Sequence, residues 1–345
     1  MSADGTAGII AVMPRSALLT PRYIVVDLGS HTIRGFVSAA QVDFSGPAML
    51  SEVNKRGAVK NQSQLPIVQR GRIVDSVLAK KWFQRQWKLV SGLSWWNTTV
   101  LIATPIGSSV DDLEIISELF SSMGGQRIWH ISQPQAAAIG SGISPLDSLA
   151  SLMVTVGANL TQAALVELGE CVAFSQLPTG GRTLLSSLES WLNQQFSLQV
   201  GPDTLDQLLQ SVANLSNEAG NEKSLVIVGQ DMLTGRPRQL EILTTHLMAA
   251  LEAWAKTIVQ PMVEVMESGR AEQIQAIMER GVLLAGGAAQ LPGLADFISA
   301  ELQVPVSVVE EPKLAVLKGL KRIAADPDLY SWILHDITLN SGLPI

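Results

Sequence analysis

Three glycine-bearing turns, each placed directly after a short apolar strand, are spread along nearly the whole chain. They read YIVVDLGSHTIRG at 23–35, LMVTVGANLT at 152–161 and GVLLAGGAAQLPG at 281–293. A strand that ends in a glycine turn exposes backbone N–H groups with no side chain in the way, which suits phosphate. The first two turns open hairpins and the third opens a helix. At these separations they describe two similar halves around a nucleotide cleft.

A chain of 345 residues with 47% hydrophobic content can bury a large core, and at that length it is expected to divide into two domains. A net charge of −7 leaves no basic stripe to neutralise phosphates, which argues against a nucleic-acid partner. The single cysteine, Cys171, excludes an intramolecular disulfide and fits a reducing compartment. Apolar runs fall short of the ~18–20 residues needed to span a bilayer. Residues 1–22 hold only a weak apolar run closed by Pro14 and read as a flexible tail.

Along the first half, residues 24–26 lead into Asp27 and 33–37 return. Residues 40–70 are polar and aperiodic, and read as a small irregular insert. From Gly71 the spacing predicts a helix with Val77, Leu78, Trp82 and Trp87 on its apolar face. Residues 100–103 read as a buried strand. Ser109 and Asp112 form a capping box for a helix that turns Leu113, Ile116, Leu119, Phe120 and Met123 inward. The second half repeats the scheme, with strands at 152–156, 163–166 and 172–177. Gly180 and Gly181 then open a long helix through Leu184, Leu188, Trp191 and Leu192. The second insert covers about 182–242 and includes a hairpin around Gly235. A helix over 246–267 contains Pro261, which is expected to kink or split it at a cost of ~3 kcal/mol. A last helix covers 314–325. Trp82, Trp87, Trp129, Trp191, Trp254 and Trp332 are expected to serve packing.

Several further stretches carry a resemblance. They are VLIATPIG at 100–107, QPQAAAIGSG at 133–142, GQDMLTGRPR at 229–238, ERGVLLAGG at 279–287 and EEPKLAVLKG at 310–319. With the three turns, they resemble the actin, heat-shock chaperone and sugar kinase ATPase superfamily. Within it they resemble the MreB-like bacterial actins, over residues 23–323. The resemblance implies an α/β actin-like fold of two duplicated ribonuclease H-like halves around a nucleotide cleft. Domain I would span 23–142, completed by 313–334, and domain II 143–312, with a tail at 335–345. ATP and Mg²⁺ are the implied cofactors.

Carried over residue by residue, Asp27, Gly29 and Ser30 match the family's first phosphate turn, with Asp27 holding Mg²⁺ through water. Arg34 stands where actins place a lysine facing phosphate. The second turn departs from the family's pattern: Thr155 replaces a carboxylate, while Ala158 and Asn159 put side chains where bare backbone is expected beside Gly157. These changes predict weakened nucleotide binding. Gln133 replaces a glutamate near the attacking water; it can orient water but cannot accept its proton. Slow or absent hydrolysis follows. Gly286 and Gly287 either support the adenosine or simply connect strand to helix. Gly180 and Gly181 either border the sugar or only open their helix.

Trp95 and Trp96 are adjacent in a loop beside Gly92, at the place where the resemblance puts a membrane-inserting pair. Each indole hides ~150–250 Å², worth at most roughly 4–6 kcal/mol before entropy is subtracted. The resulting expectation is a head-to-tail filament scaffolding cell shape or wall synthesis on the inner face of the cytoplasmic membrane. Morphogenesis proteins of that membrane are further expected partners. Two alternatives are a non-polymerising adaptor, like FtsA or the pilus-assembly homologues, and a small-molecule kinase.

Overall fold

The structure, a computed structural model, describes residues 22–53, 59–89, 98–211, 213–215 and 223–338. The chain divides into two compact units. Among the described residues, one holds those from Arg22 to Ala136 together with those from Val316 to Thr338, and the other those between Ala137 and Ala315.

The first unit opens with three antiparallel strands: β1 (Arg22–Asp27), β2 (Thr32–Val37) and β3 (Val42–Pro47). β1 is apolar along most of its length because both faces are covered. The strand β3 corrects the expected insert at 40–70, since its residues belong to the main sheet. Phe44 pairs with Gly35 in register, and a β-carbon at Gly35 would fall inside the Phe44 ring. Glycine in a strand marks such a close approach. What remains of the insert is the antiparallel pair β4 (Met49–Val53) and β5 (Val59–Pro66), with a register shift between Ser51 and Val53, followed by the short pair β6 (Val68–Gln69) and β7 (Arg72–Ile73).

Helix α1 (Ser76–Leu89) starts later than the expected Gly71, where Asp75 Oδ1 accepts from the Leu78 N–H at 2.8 Å. It buries Ala79, Trp82 and Phe83, whereas Val77 is 62% exposed instead of facing inward. The i, i+3, i+4 set that meets the core starts at Ala79, which turns Val77 outward. β8 (Thr98–Thr104) lies parallel to β1. In α2 (Val110–Ser121) the Ser109–Asp112 capping box is formed reciprocally, and Leu113, Ile116, Leu119 and Phe120 are buried. Phe83 meets Phe120 edge-on at 5.0 Å, locking α1 onto α2. β9 (Arg127–Ser132) pairs parallel to β8. The division between units falls inside α3 (Gln133–Gly140).

The second unit repeats the plan with β10 (Ser151–Val156), β11 (Thr161–Glu167) and β12 (Glu170–Leu177) antiparallel. Helix α4 (Gly181–Phe196) follows. The inserted part comprises β13 (Leu198–Gln199), α5 (Pro202–Ser211), β14 (Ser224–Asp231) and β15 (Pro237–Leu243). Pro261 neither breaks nor splits α6 (Thr244–Ser268), which runs as one helix of 25 residues. Leu247, Leu251, Trp254, Ile258 and Met262 are buried along it. At ~1.5–3 kcal/mol each, their burial exceeds the ~3 kcal/mol proline cost.

Next come α7 (Ala271–Arg280), β16 (Val282–Ala285), α8 (Leu294–Leu302) and β17 (Val306–Val308). The sheet order is β12-β11-β10-β16-β17, three antiparallel strands and then two parallel ones. The chain returns to the first unit through α9 (Ala315–Ala325). It ends its described part with β18 (His335–Asp336), giving the order β18-β9-β8-β1-β2-β3. Both units therefore share the plan of an antiparallel three-strand meander continued by parallel strands.

Among the tryptophans, Trp82 and Trp254 are buried, and Trp191 packs edge-on against Phe196 at 5.2 Å. Trp129 lies 6.4 Å from Tyr23. Trp332 departs from the packing expectation, being 45% exposed. The side chain of Trp87 lies outside the described part.

Candidate functional site

In the first unit, Asp27 closes β1 and is only 5% exposed. The β1–β2 register sets Arg34 directly opposite it, with Nη1 at 3.9 Å from Oδ2. Gln133, the first residue of α3, donates from Nε2 to Asp27 Oδ1 at 3.5 Å. Burial pushes the Asp27 carboxyl up to about 6, against the opposing pull of the Arg34 charge and the Gln133 hydrogen bond. A β-carbon at Gly29 would collide with the Thr32 carbonyl oxygen, so the turn requires glycine. Ser30 Oγ accepts from the Gly71 N–H at 3.0 Å, tying this turn to the β6–β7 connection. His31 is exposed.

In the second unit, β10 and β16 are parallel neighbours, pairing Thr155 with Ala285. Their C-terminal ends place the second and third glycine turns side by side. A β-carbon at Gly286, where φ is +94°, would sit 2.7 Å from the Val156 carbonyl carbon. The N-terminus of α4 closes on the same turn: Gly181 N–H donates to Gly157 O at 3.0 Å and Arg182 N–H to Ala158 O at 2.7 Å. Gly180 is the residue that allows this approach. Its β-carbon would fall 2.8 Å from both the carbonyl carbon and oxygen of Ala158. The Trp254 indole donates to Gly180 O at 3.0 Å and fixes the junction from behind. Thr155, Gly157, Asn159, Gly180, Gly181, Gly286 and Gly287 are thus gathered at one end of this sheet.

The structure also shows how those backbone donors are used. The N–H of Gly157 donates to Leu160 O, and that of Gly286 to Pro312 O. Thr155 Oγ1 accepts from Gln162 Nε2 at 3.2 Å, both residues being buried. Sequence reasoning missed Gln162, Trp254 and Gly71, whose roles come from long-range approach. It also missed Lys313, whose Cε lies 3.9 Å from the β-carbon position of Gly287. The signal for Lys313 was its place in the stretch EEPK at 310–313.

A cavity of about 380 Å³ lies at the other end of the same strands, lined by Ser141, Ile143, Asp147, Ser151 and Arg280. Arg280 Nη1 bridges Asp147 Oδ2 at 2.8 Å and the Leu149 carbonyl at 3.2 Å. That pairing holds Asp147 below the usual carboxylate range. Its groups are engaged with one another and lie away from the glycine turns.

The implied cofactors fit unequally. Phosphate fits at the first turn, because the Arg34 guanidinium borders it and an anion is favoured beside such a cation. A divalent cation does not fit. Both Asp27 oxygens face N–H donors, and Thr155 offers a neutral hydroxyl already engaged by an amide. Among the described residues, no three His, Cys, Asp or Glu side chains form a group able to hold a metal ion. Trp95 and Trp96 lie outside the described residues, as do residues 1–21 and 339–345. No helix among the described residues is long and apolar enough to cross a membrane.

Comparison with known proteins places this geometry. The model of the MreB/Mbl protein family matches residues 54–331. The cell shape-determining protein Mbl of Bacillus subtilis is 29% identical over 220 residues, 64% of this chain and 66% of that protein. The cell shape-determining protein MreB of Haemophilus influenzae is 24% identical over 318 residues, 91% of this chain and 89% of that one. Among solved structures, MreB5 of Spiroplasma citri bound to AMPPNP superposes with a TM-score of 0.84 at 20% identity, covering 91% of this chain and 99% of that one. The MamK double helical filament gives 0.73 at 16%, covering 88% and 99%. The fold is actin-like. With the family model matched across most of its length, the chain belongs to the MreB/Mbl protein family.

Proposed function

We propose that this chain is a filament-forming, actin-like cytoskeletal protein. It works beneath the cytoplasmic membrane in cell shape or wall-synthesis scaffolding, binds adenine nucleotide weakly and hydrolyses it slowly or not at all. The observation that carries this reading is the meeting of two glycine turns and the α4 N-terminus at the ends of β10 and β16, in a member of a family of cell shape-determining proteins. Subunits stack head to tail, a contact that does not close on itself and so grows a fibre.

Weak nucleotide binding follows from the donors already spent. The N–H groups of Gly157, Gly181, Arg182 and Gly286 all donate within the chain. Phosphate at the second turn is left to meet Ala158 and Asn159, which carry side chains where the resemblance expects bare backbone. When bound, the nucleotide supplies phosphate charge to Arg34 at the first turn. Gln133 orients a water beside Asp27 but takes no proton from it, so turnover is slow. The Trp95–Trp96 loop anchors the polymer to lipid. Each loop binds weakly and many loops together bind firmly.

The reading is tested by sedimentation and negative-stain electron microscopy of the full chain with ATP, with ADP and without nucleotide, alongside phosphate release. Polymers with little phosphate release are expected. A chain that stays monomeric under all three conditions refutes filament formation and leaves the adaptor reading. The kinase reading lacks support because Thr155 and Gln162 supply no carboxylate base at the second turn.

A further inference from the structure

Resting on the nucleotide reading above, we infer that Arg34 takes the place of a divalent cation at the first glycine turn, so that nucleotide phosphate binds this chain without metal. The antiparallel register of β1 and β2 is what delivers the charge, because it pairs Arg34 with Asp27. Arg34 Nη1 is 3.9 Å from Asp27 Oδ2 and also 3.9 Å from the β-carbon position of Gly29. One end of the guanidinium therefore neutralises the buried carboxylate while standing over the phosphate turn. The Arg34 side chain is 22% exposed, so it is not sealed from solvent. A guanidinium is always charged, and its planar set of N–H groups matches two phosphate oxygens at once.

A hydrated Mg²⁺ would need Asp27 lone pairs directed at its water shell in near-ideal octahedral geometry. Here Gln133 Nε2 faces Oδ1 and Arg34 faces Oδ2. A dication brought to that carboxylate would also stand beside the guanidinium and be repelled by it.

The test measures binding of ATP with a fluorescent ribose label to the full chain, in EDTA and in millimolar MgCl₂. A thermal-shift series with unlabelled ATP supplies a second readout. Wild type is expected to bind in both buffers with dissociation constants within about three-fold. Arg34→Met is expected to lose about ten-fold or more in EDTA, as a charge-assisted hydrogen bond disappears. Asp27→Asn is expected to bind in EDTA at least as tightly as wild type, since the guanidinium no longer serves a carboxylate. Should Arg34→Met fail to fold, Asp27→Asn alone decides. Wild-type binding that collapses in EDTA and returns with Mg²⁺ overturns the inference while leaving the nucleotide reading intact. Undiminished binding by Arg34→Met, or loss of binding by Asp27→Asn, overturns it likewise. Absence of binding in both buffers overturns the nucleotide reading and this inference with it.

Discussion

Two neighbouring glycines, Gly180 and Gly181, should respond to alanine in opposite ways. Gly180 has φ −168° and ψ −158°, an extended conformation open to any residue, so backbone strain plays no part. The obstacle is space. Its added methyl would lie 2.8 Å from the Ala158 carbonyl carbon and oxygen, and closer still to Gly157 O, all of them backbone atoms. Backbone cannot swing aside as a flexible side chain would. Overpacking of this kind costs ~1–3 kcal/mol, and a disturbed Trp254–Gly180 hydrogen bond adds about 1 kcal/mol. The total of roughly 2–4 kcal/mol corresponds to a melting temperature lower by roughly 5–15 °C for a unit of this size.

At Gly181 the nearest atom to an added methyl is Ala288 Cβ at 3.4 Å, an ordinary contact. There alanine should be neutral or stabilising by up to about 1 kcal/mol, through helix propensity and lower unfolded-state entropy. Differential scanning calorimetry and urea titration of both variants measure the contrast. Gly180→Ala melting within about 1 °C of the parent would show that α4 does not close on the second turn as described.

Other consequences can be checked alongside. Trp254→Phe keeps most of the buried ring and removes the indole donor to Gly180 O, which still accepts from the Thr183 and Leu184 N–H groups, and should cost ~0.5–1.5 kcal/mol by urea titration. Asp27 gives a pH signature. Its folded value of about 6 lies above the ordinary 3.8, so the folded chain holds this proton more tightly than the unfolded chain. That contribution to stability is fully present below pH 3.8 and is lost as pH rises through 6. Asp27→Asn should therefore raise stability at pH 7.5, by at most ~3 kcal/mol, and flatten this part of the pH dependence. Unchanged stability at pH 7.5 would argue against a costly buried carboxylate. Replacing both Trp95 and Trp96 with alanine should abolish co-sedimentation with anionic liposomes while polymers persist; undiminished lipid binding removes the loop from the membrane account.

Much of the fold was legible because its signals are local. The apolar run before Asp27 and the reciprocal Ser109–Asp112 cap each act within a few residues. The insert at 40–70 misled for a physical reason. β3 presents one polar face, and its membership in the sheet depends on the Phe44 ring lying over Gly35, a contact no local pattern announces. Val77 misled in a similar way, because helical periodicity identifies an apolar stripe but the packing partner chooses which edge of it is buried.

At the candidate site, the chain's own order of residues was enough to mark the three glycine turns, while Thr155 and Gln133 stood out only against the pattern of the family it resembles. Glycine, charge and hydroxyl are properties a residue carries wherever it is placed. Tertiary structure alone decided what those groups meet. It spent the Gly157 and Gly181 N–H groups inside the chain, gave Thr155 to Gln162 and set Arg34 against Asp27. Hydrogen bonds and ion pairs act over a few ångströms, so partners far apart in sequence are chosen only when strand register and helix docking bring them within reach.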